Sequence, residues 1–279
     1  MFWFVLLGCL NTEAHDTGVD MGCNGARALC DRPLDAVTML GTHNAMSSAE
    51  RGWVPPNQTH AVPRQLTDGV RGINLDTHEW DGSLWLCHGL CELGAQPLVE
   101  GLEEITDFLN ANPREVVVIT FQSGISEEDT VWAGEAAGLG DLAYHHTLGQ
   151  PWPTLNALIE ANTRVVIFGS GGEHEWLMAQ WEHWVDNPYS AQEVSDFACN
   201  VDRGDPQTAT LFNVNHFITN PVALESHAEQ ANTHAQLSQH ALDCWTQRGQ
   251  RPNQVLVDFY DIGAGLAVVA ELNEMDGGP

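Results

Sequence analysis

Six short apolar runs punctuate the chain, at residues 36–40, 70–75, 115–121, 164–168, 210–214 and 255–259. Each is rich in Val, Ile, Leu or Phe and bounded by turn residues, the pattern of strands buried on both faces of a parallel sheet. Between them the period changes. Residues 98–110 place Leu98, Leu102, Ile105 and Leu109 at three- and four-residue steps, which predicts a helix that Asn112-Pro113 ends. Residues 152–160 and 223–248 also read as helical. Strands alternating with helices predict an α/β fold with a parallel sheet, closed or doubly wound.

The polar positions choose between those two. His43 and Asn44, Asp76 and His78, Gln122, Asn213 and Asn215, and Asp258 fall at or just beyond the C-terminal ends of the apolar runs. In a parallel barrel those ends converge on one face, where the active site lies. No GxGxxG follows the first run and no GxxxxGK[ST] occurs, so nucleotide binding by those routes has no support. The 279 residues suit a single barrel domain. The expectation is a TIM-like (β/α)8 barrel, complete or distorted, over residues 23–279, with residues 1–22 as leader and linker. No run of about 20 apolar residues is present to span a bilayer.

Charge narrows the partners. Ten Arg, no Lys and 38 Asp+Glu give a formal net charge of −28. Such a surface repels nucleic acid, and it also repels anionic membranes. A solvated acidic surface that aids solubility accounts for most of it.

The chain opens with Met1-Phe-Trp-Phe-Val-Leu-Leu-Gly-Cys9, which resembles a bacterial lipobox in which the Cys is lipidated after signal cleavage. The apolar run is short and no basic residue precedes it. The expectation is an exported protein, secreted or anchored through Cys9; a frayed apolar terminus is the alternative. Six cysteines remain after Cys9. The locally simplest of their fifteen pairings joins Cys23 to Cys30, Cys87 to Cys91 and Cys199 to Cys244. A zinc site is the rival, though repeated CxxC spacing is missing.

Two segments carry chemistry. The first is Leu40-Gly41-Thr42-His43-Asn44-Ala45-Met46. The second runs from Gly69-Val70-Arg71 through Leu75-Asp76 to Trp85-Leu86-Cys87-His88-Gly89. Together they resemble the two halves of the X-region motif of phosphatidylinositol-specific phospholipases C. The likeness continues in Phe108-Leu-Asn-Ala-Asn-Pro-Arg-Glu-Val-Val, in Asn215-His216-Phe217-Ile218-Thr219-Asn220-Pro221 and in Val257-Asp258-Phe259-Tyr260. It covers nearly all of the chain after Cys23.

The resemblance implies a phospholipid or other phosphodiester substrate, met at a membrane surface, with His43 as base and His88 as acid. Two imidazoles near their ordinary pKa of about 6.5 can divide those tasks at neutral pH. A carboxylate should orient His43, and Asp258 is the candidate. Positive charge must also oppose the phosphate. Calcium-dependent relatives use an Asn after the first His and three acids; metal-independent ones place an Arg on the second strand. This chain has Asn44, Asn74, Asp76 and Gln122 at those positions, so two of three carboxylates are amides and the Arg is absent. Ca2+ is expected to bind more weakly here, if it binds, with Glu79 or Asp81 as reserve ligands. Arg71 has two uses open, phosphate contact or an ion pair at the barrel base. Three functions follow: an inositol-lipid phosphodiesterase releasing diacylglycerol and a cyclic inositol phosphate, a metal-assisted glycerophosphodiester or sphingomyelin phosphodiesterase, and a weakly catalytic barrel that binds polyol phosphates.

Overall fold

The computed structural model describes residues 22–279 apart from positions 173 and 276. The leader expectation and Cys9 therefore lie outside the described residues. Eleven strands occur among them: β1 (Met39–Thr42), β2 (Gly72–Trp80), β3 (Ser83–Cys87), β4 (Ala95–Pro97), β5 (Val117–Gly124), β6 (Ala143–Tyr144), β7 (Val165–Gly169), β8 (Leu177–Ala179), β9 (Trp184–Asp186), β10 (Leu211–Asn215) and β11 (Gln254–Val257). Eight of them form a curled parallel sheet in the order β6-β7-β5-β2-β1-β11-β10-β9. The two ends of that path do not pair, so the expected barrel is present in its distorted, open form. β8 pairs with β7 beside the seam, and β3 and β4 extend the edge of β2 as an antiparallel hairpin.

Strand alternation separates two cores. Ile73 and Leu75 of β2, Val117, Ile119 and Phe121 of β5, and Val255 and Val257 of β11 face outward into a large apolar cluster with the helices. The inner cluster holds Met39, Val118, Val166, Phe168 and Leu211, closed from below by Leu29, Leu34 and Val37. Successive residues of a strand point to opposite faces. On the inner face polarity therefore rises in two-residue steps toward the C-terminal ends: Val118, Thr120, Gln122 on β5; Leu211, Asn213, Asn215 on β10; Gly72, Asn74, Asp76 on β2. A Cβ at Gly41 or Gly72 would come within 2.6 Å of the Gln254 side chain, so these two glycines make room for that amide inside the barrel.

The helices are α1 (Val62–Asp68), α2 (Leu98–Ala111), α3 (Glu127–Ala136), α4 (Leu155–Glu160), α5 (Gln180–His183), α6 (Glu225–Ala231), α7 (His234–Arg248) and α8 (Gly265–Glu274). Helix α2 buries Leu98, Leu102, Ile105 and Leu109, each at most 1% exposed, and each such burial contributes about 1.5–3 kcal/mol. The single helix expected over 223–248 is two. Thr233 caps α7 by accepting from the Gln236 amide, and Asn232 donates to the Asp258 carbonyl at 2.9 Å. That bond ties the break between α6 and α7 to the end of β11. The run expected as a strand over 36–40 begins later, because residues 34–36 form a 3-10 turn.

The three expected cysteine pairs are disulfides. None of the described helices is long and apolar enough to cross a membrane.

Candidate active site

His43 follows β1 directly. Its backbone N–H donates to the Val257 carbonyl at 3.0 Å and its own carbonyl accepts at 2.8 Å from Gln58 Nε2, which also donates to the Val257 carbonyl at 3.0 Å, so the residue is fixed to β11 directly and through Gln58. The ring stacks on Phe217 with centroids 3.9 Å apart and planes 12° apart. Nδ1 lies 3.0 Å from Asp258 Oδ1. A carboxylate is an acceptor, so Nδ1 carries the proton and Nε2 keeps a lone pair for the cavity. Asp258 also accepts from Asn57 Nδ2 at 3.0 Å. Asn57 and Phe217 were not expected here as supports of His43. Phe217 belongs to the Asn215–Pro221 segment, and Asn57 comes from a loop with no pattern of its own.

Asn44 adopts φ 47°, the left-handed region that Asn tolerates better than most residues. The turn swings its amide toward His88, with Nδ2 3.3 Å from His88 Nε2. Its Oδ1 is buried and unpartnered. Rotating the amide by 180° exchanges the two atoms, so Asn44 can donate to neutral His88 or accept from the protonated ring. His88 stands just past β3, between the halves of the Cys87–Cys91 bridge. Lost hydration and the charge of His43 lower its pKa below the ordinary 6.5, against the pull of Asp258.

His43, Asn44, Asp76, His88 and Gln122 line one cavity of about 480 Å3. Its outer wall is apolar, built from Trp53, Val54, Pro55, Leu93, Val222 and Ala223. A second cavity of about 270 Å3 extends inward from His43 and Gln122, with Asn74, Asp186, Arg203, Asn213 and Asn215 on its walls. His43 thus sits where a polar lobe meets an apolar one.

Register explains the grouping: Asp76 pairs with Gln122, and Asn74 with Thr120. Asp76 is 3% exposed and its Oδ1 has no partner; burial pushes its pKa up to about 6, opposed by the charge of His43. Asn74 Oδ1 is engaged by the Asn44 backbone N–H at 3.3 Å. Asn44 and Asp76 therefore offer two orphaned buried oxygens beside Gln122. An all-oxygen set with one formal negative charge fits a hard cation such as Ca2+, completed by water or substrate oxygens. Glu79 and Asp81 lie in the β2–β3 hairpin, outside the residues lining either cavity.

Arg71 is not brought to this group. It precedes β2 at the opposite end of the barrel, where Nε donates to Glu115 Oε2 at 2.8 Å and Nη1 donates to the carbonyls of Leu66 and Val70 at 2.7 Å each. At the mouth stands Arg203 instead, a residue not expected there from the sequence. Its guanidinium forks onto the Asp186 carboxylate and lies between Trp181 and Tyr189, 4.5 and 4.3 Å from the ring centroids. It is the arginine that lines the inner cavity with His43. Asp186 was findable: Trp184-Val185-Asp186 repeats the apolar-then-polar strand end on the short β9. Arg203 comes from a loop and carries no such signal.

The comparisons agree with this architecture. A PI-PLC X domain-containing protein of Arabidopsis thaliana is 30% identical over 272 residues, covering 88% of this chain and 63% of its own length. An uncharacterized secreted protein of Arthroderma benhamiae is 26% identical over 286 residues, covering 91% of this chain and 64% of its own length. The chain thus spans a little under two thirds of these relatives. A variant of the phosphatidylinositol-specific phospholipase C from Staphylococcus aureus shares the fold, with a TM-score of 0.60 at 14% identity over 88% of this chain and 94% of that one. The PI-PLC X family model matches residues 29–273, and the chain belongs to the PI-PLC X domain family.

Proposed function

We propose that the chain is an exported phosphodiesterase that cleaves a phosphatidylinositol-type phospholipid by His/His general acid–base catalysis. The observation that carries this reading is the place of His43, between a polar lobe suited to a polyol and an apolar lobe suited to the diacylglycerol side. His43 Nε2 removes the proton of the inositol 2-hydroxyl, and that oxygen attacks phosphorus. The diacylglycerol oxygen leaves and takes a proton from His88. The products are diacylglycerol and a cyclic inositol phosphate. Asp258 supports the imidazolium that forms on His43, and Phe217 holds the ring plane.

Negative charge grows on the phosphate oxygens and needs a cationic counterpart. Arg203 brings guanidinium N–H donors to the polar lobe, where Asp186 balances its charge. Ca2+ held by Asn44, Asp76 and Gln122 would add positive charge beside the phosphate. Export is supported by the three disulfides, which persist in oxidising compartments, and by the secreted relative.

The test separates the two histidines. His43→Ala and His88→Ala should each lower kcat by at least about 10²-fold. A soluble inositol phosphodiester with a good leaving group, such as a nitrophenolate, should restore much of the His88→Ala rate and none of the His43→Ala rate. Equal rescue of both variants, or turnover near wild type in either, would overturn the assignment.

A further inference from the structure

A second cluster of ligating side chains lies away from the barrel mouth, where α7 packs on the outer face of β10. Cys244 of α7 is fully buried there with Phe212 and Val214, and it is bonded to Cys199. His240 precedes Cys244 by four residues, so the two side chains share one face of the helix. One ligating atom each from Cys199, His240 and Cys244 lies within 4.8 Å of the other two.

The hydrogen bonds around His240 fix which nitrogen is available. His216 Nε2 lies 2.8 Å from the Ala231 carbonyl oxygen, a pure acceptor, so that nitrogen carries the proton. His216 Nδ1 is then a lone pair. It lies 2.8 Å from His240 Nδ1, which must donate to it. His240 Nε2 is left as the lone-pair nitrogen, met only by a long contact from Asn187 Nδ2 at 3.4 Å and by the Ala198 carbonyl oxygen at 3.5 Å, which has no proton to give. Metal-ligating histidines are held in this way, one nitrogen donating to a fixed partner and the other presented as a base. His216 is completely buried, so the orienting partner cannot swing away.

We propose that reduction of the Cys199–Cys244 bond turns this cluster into a Cys2His site for a borderline-soft divalent cation such as Zn2+. Cys199 and His240 line an open hollow with Phe197, Asn200 and Asp243, from which water would supply the fourth ligand. A tetrahedral ion with sulfurs at about 2.3 Å and nitrogen at about 2.0–2.1 Å spaces its ligand atoms about 3.5–3.8 Å apart. The sulfurs need only part from bonding distance, and the histidine moves by about an ångström. With a phosphine reductant and water, the disulfide takes up two electrons and two protons and the phosphine becomes its oxide. Binding of the cation then expels both thiol protons, and the neutral His240 completes an uncharged complex. The site re-forms, under reducing conditions, the tie between the loop at Cys199 and α7 that the disulfide makes under oxidising ones.

The experiment uses the whole chain, a phosphine reductant and Co2+ as the spectroscopic probe. Reduced protein should bind one Co2+ with thiolate-to-metal charge-transfer absorption and the visible bands of a tetrahedral ion, and Zn2+ should displace it. Oxidised protein should show neither. His240→Gln should weaken Co2+ binding by at least about tenfold. Because that variant disturbs a buried pair, a second measurement uses the unaltered chain: Zn2+ should protect Cys199 and Cys244, and no other cysteine, from alkylation. Absence of the Co2+ bands in the reduced protein, bands that survive His240→Gln at full affinity, or protection falling on Cys23 and Cys30 or on Cys87 and Cys91 would overturn the proposal.

Discussion

Replacing Asp258 by Asn removes one charge from the site and little else. Asn57 Nδ2 donates to Asp258 Oδ1 at 3.0 Å, so in the variant the amide oxygen, and not its NH2, is held at that position. His43 Nδ1–H, now 3.0 Å from Oδ1, keeps its acceptor and its tautomer. The other carboxylate oxygen is buried without a partner, so the new NH2 breaks no existing hydrogen bond. What disappears is the charge-assisted part of one bond to the imidazolium formed in the transition state. Hydrogen bonds to charged groups contribute about 1.5–3 kcal/mol and neutral ones about 0.5–1.5, so about 1–1.5 kcal/mol is lost, and each 1.4 kcal/mol is about tenfold in rate. Asp258→Asn should therefore lower kcat by about 5- to 10-fold and leave KM nearly unchanged. The assay is steady-state turnover of a soluble inositol phosphodiester, with thermal melting as the fold control. In the His43→Ala background the same substitution should cost nothing further, because residues that act as a unit are not additive. An undiminished kcat in Asp258→Asn, or an equal further loss in the His43→Ala background, would refute the coupling.

Three more outcomes are expected. Replacing Cys87 and Cys91 together by Ala frees the loop carrying His88; kcat should fall while the melting temperature moves little, and a wild-type kcat would show that the bridge does not position His88. His216 and His240 are buried against each other, and burial pushes both pKa values well below the ordinary 6.5. The unfolded chain then binds more protons below pH 6.5, so the pair's contribution to stability is full above that pH and is lost as pH falls below it. Urea midpoints measured from pH 7 to pH 4.5 should fall less steeply in His240→Gln than in wild type, and parallel curves would contradict this. With Ca2+ as a ligand of Asn44, Asp76 and Gln122, Ca2+ should stimulate turnover of a soluble substrate and Asp76→Asn should abolish that stimulation, whereas equal rates in EDTA would confine Ca2+ to screening the surface charge.

The architecture was legible because polar residues collect at the ends of the apolar runs. That signal placed His43, Asp76, Gln122 and Asp258 toward one end of the sheet, although β2 and β5 run on to Trp80 and Gly124, past the runs expected at 70–75 and 115–121. It failed where strands are two or three residues long. β6, β8 and β9 are too short to show a period, so Asp186 and the open seam went unseen. It failed again where chain topology sets distance. Of the two uses left open for Arg71, the ion pair at the barrel base is the one found, with Glu115, while nothing in the order of residues says that Arg203 reaches the mouth from a loop. The break at Asn232 was hidden because 223–248 is rich in helix formers, and only the tertiary bond to the Asp258 carbonyl explains it.

The central claim is that His43 and His88 drive attack by a neighbouring hydroxyl on a phosphodiester. Phosphorus NMR of the purified chain incubated with phosphatidylinositol, once with Ca2+ and once with EDTA, tests it most directly. The mechanism predicts a cyclic inositol phosphate as the first product, formed by wild type and not by His43→Ala. An acyclic phosphomonoester with no cyclic precursor, or no turnover under either condition, would contradict it.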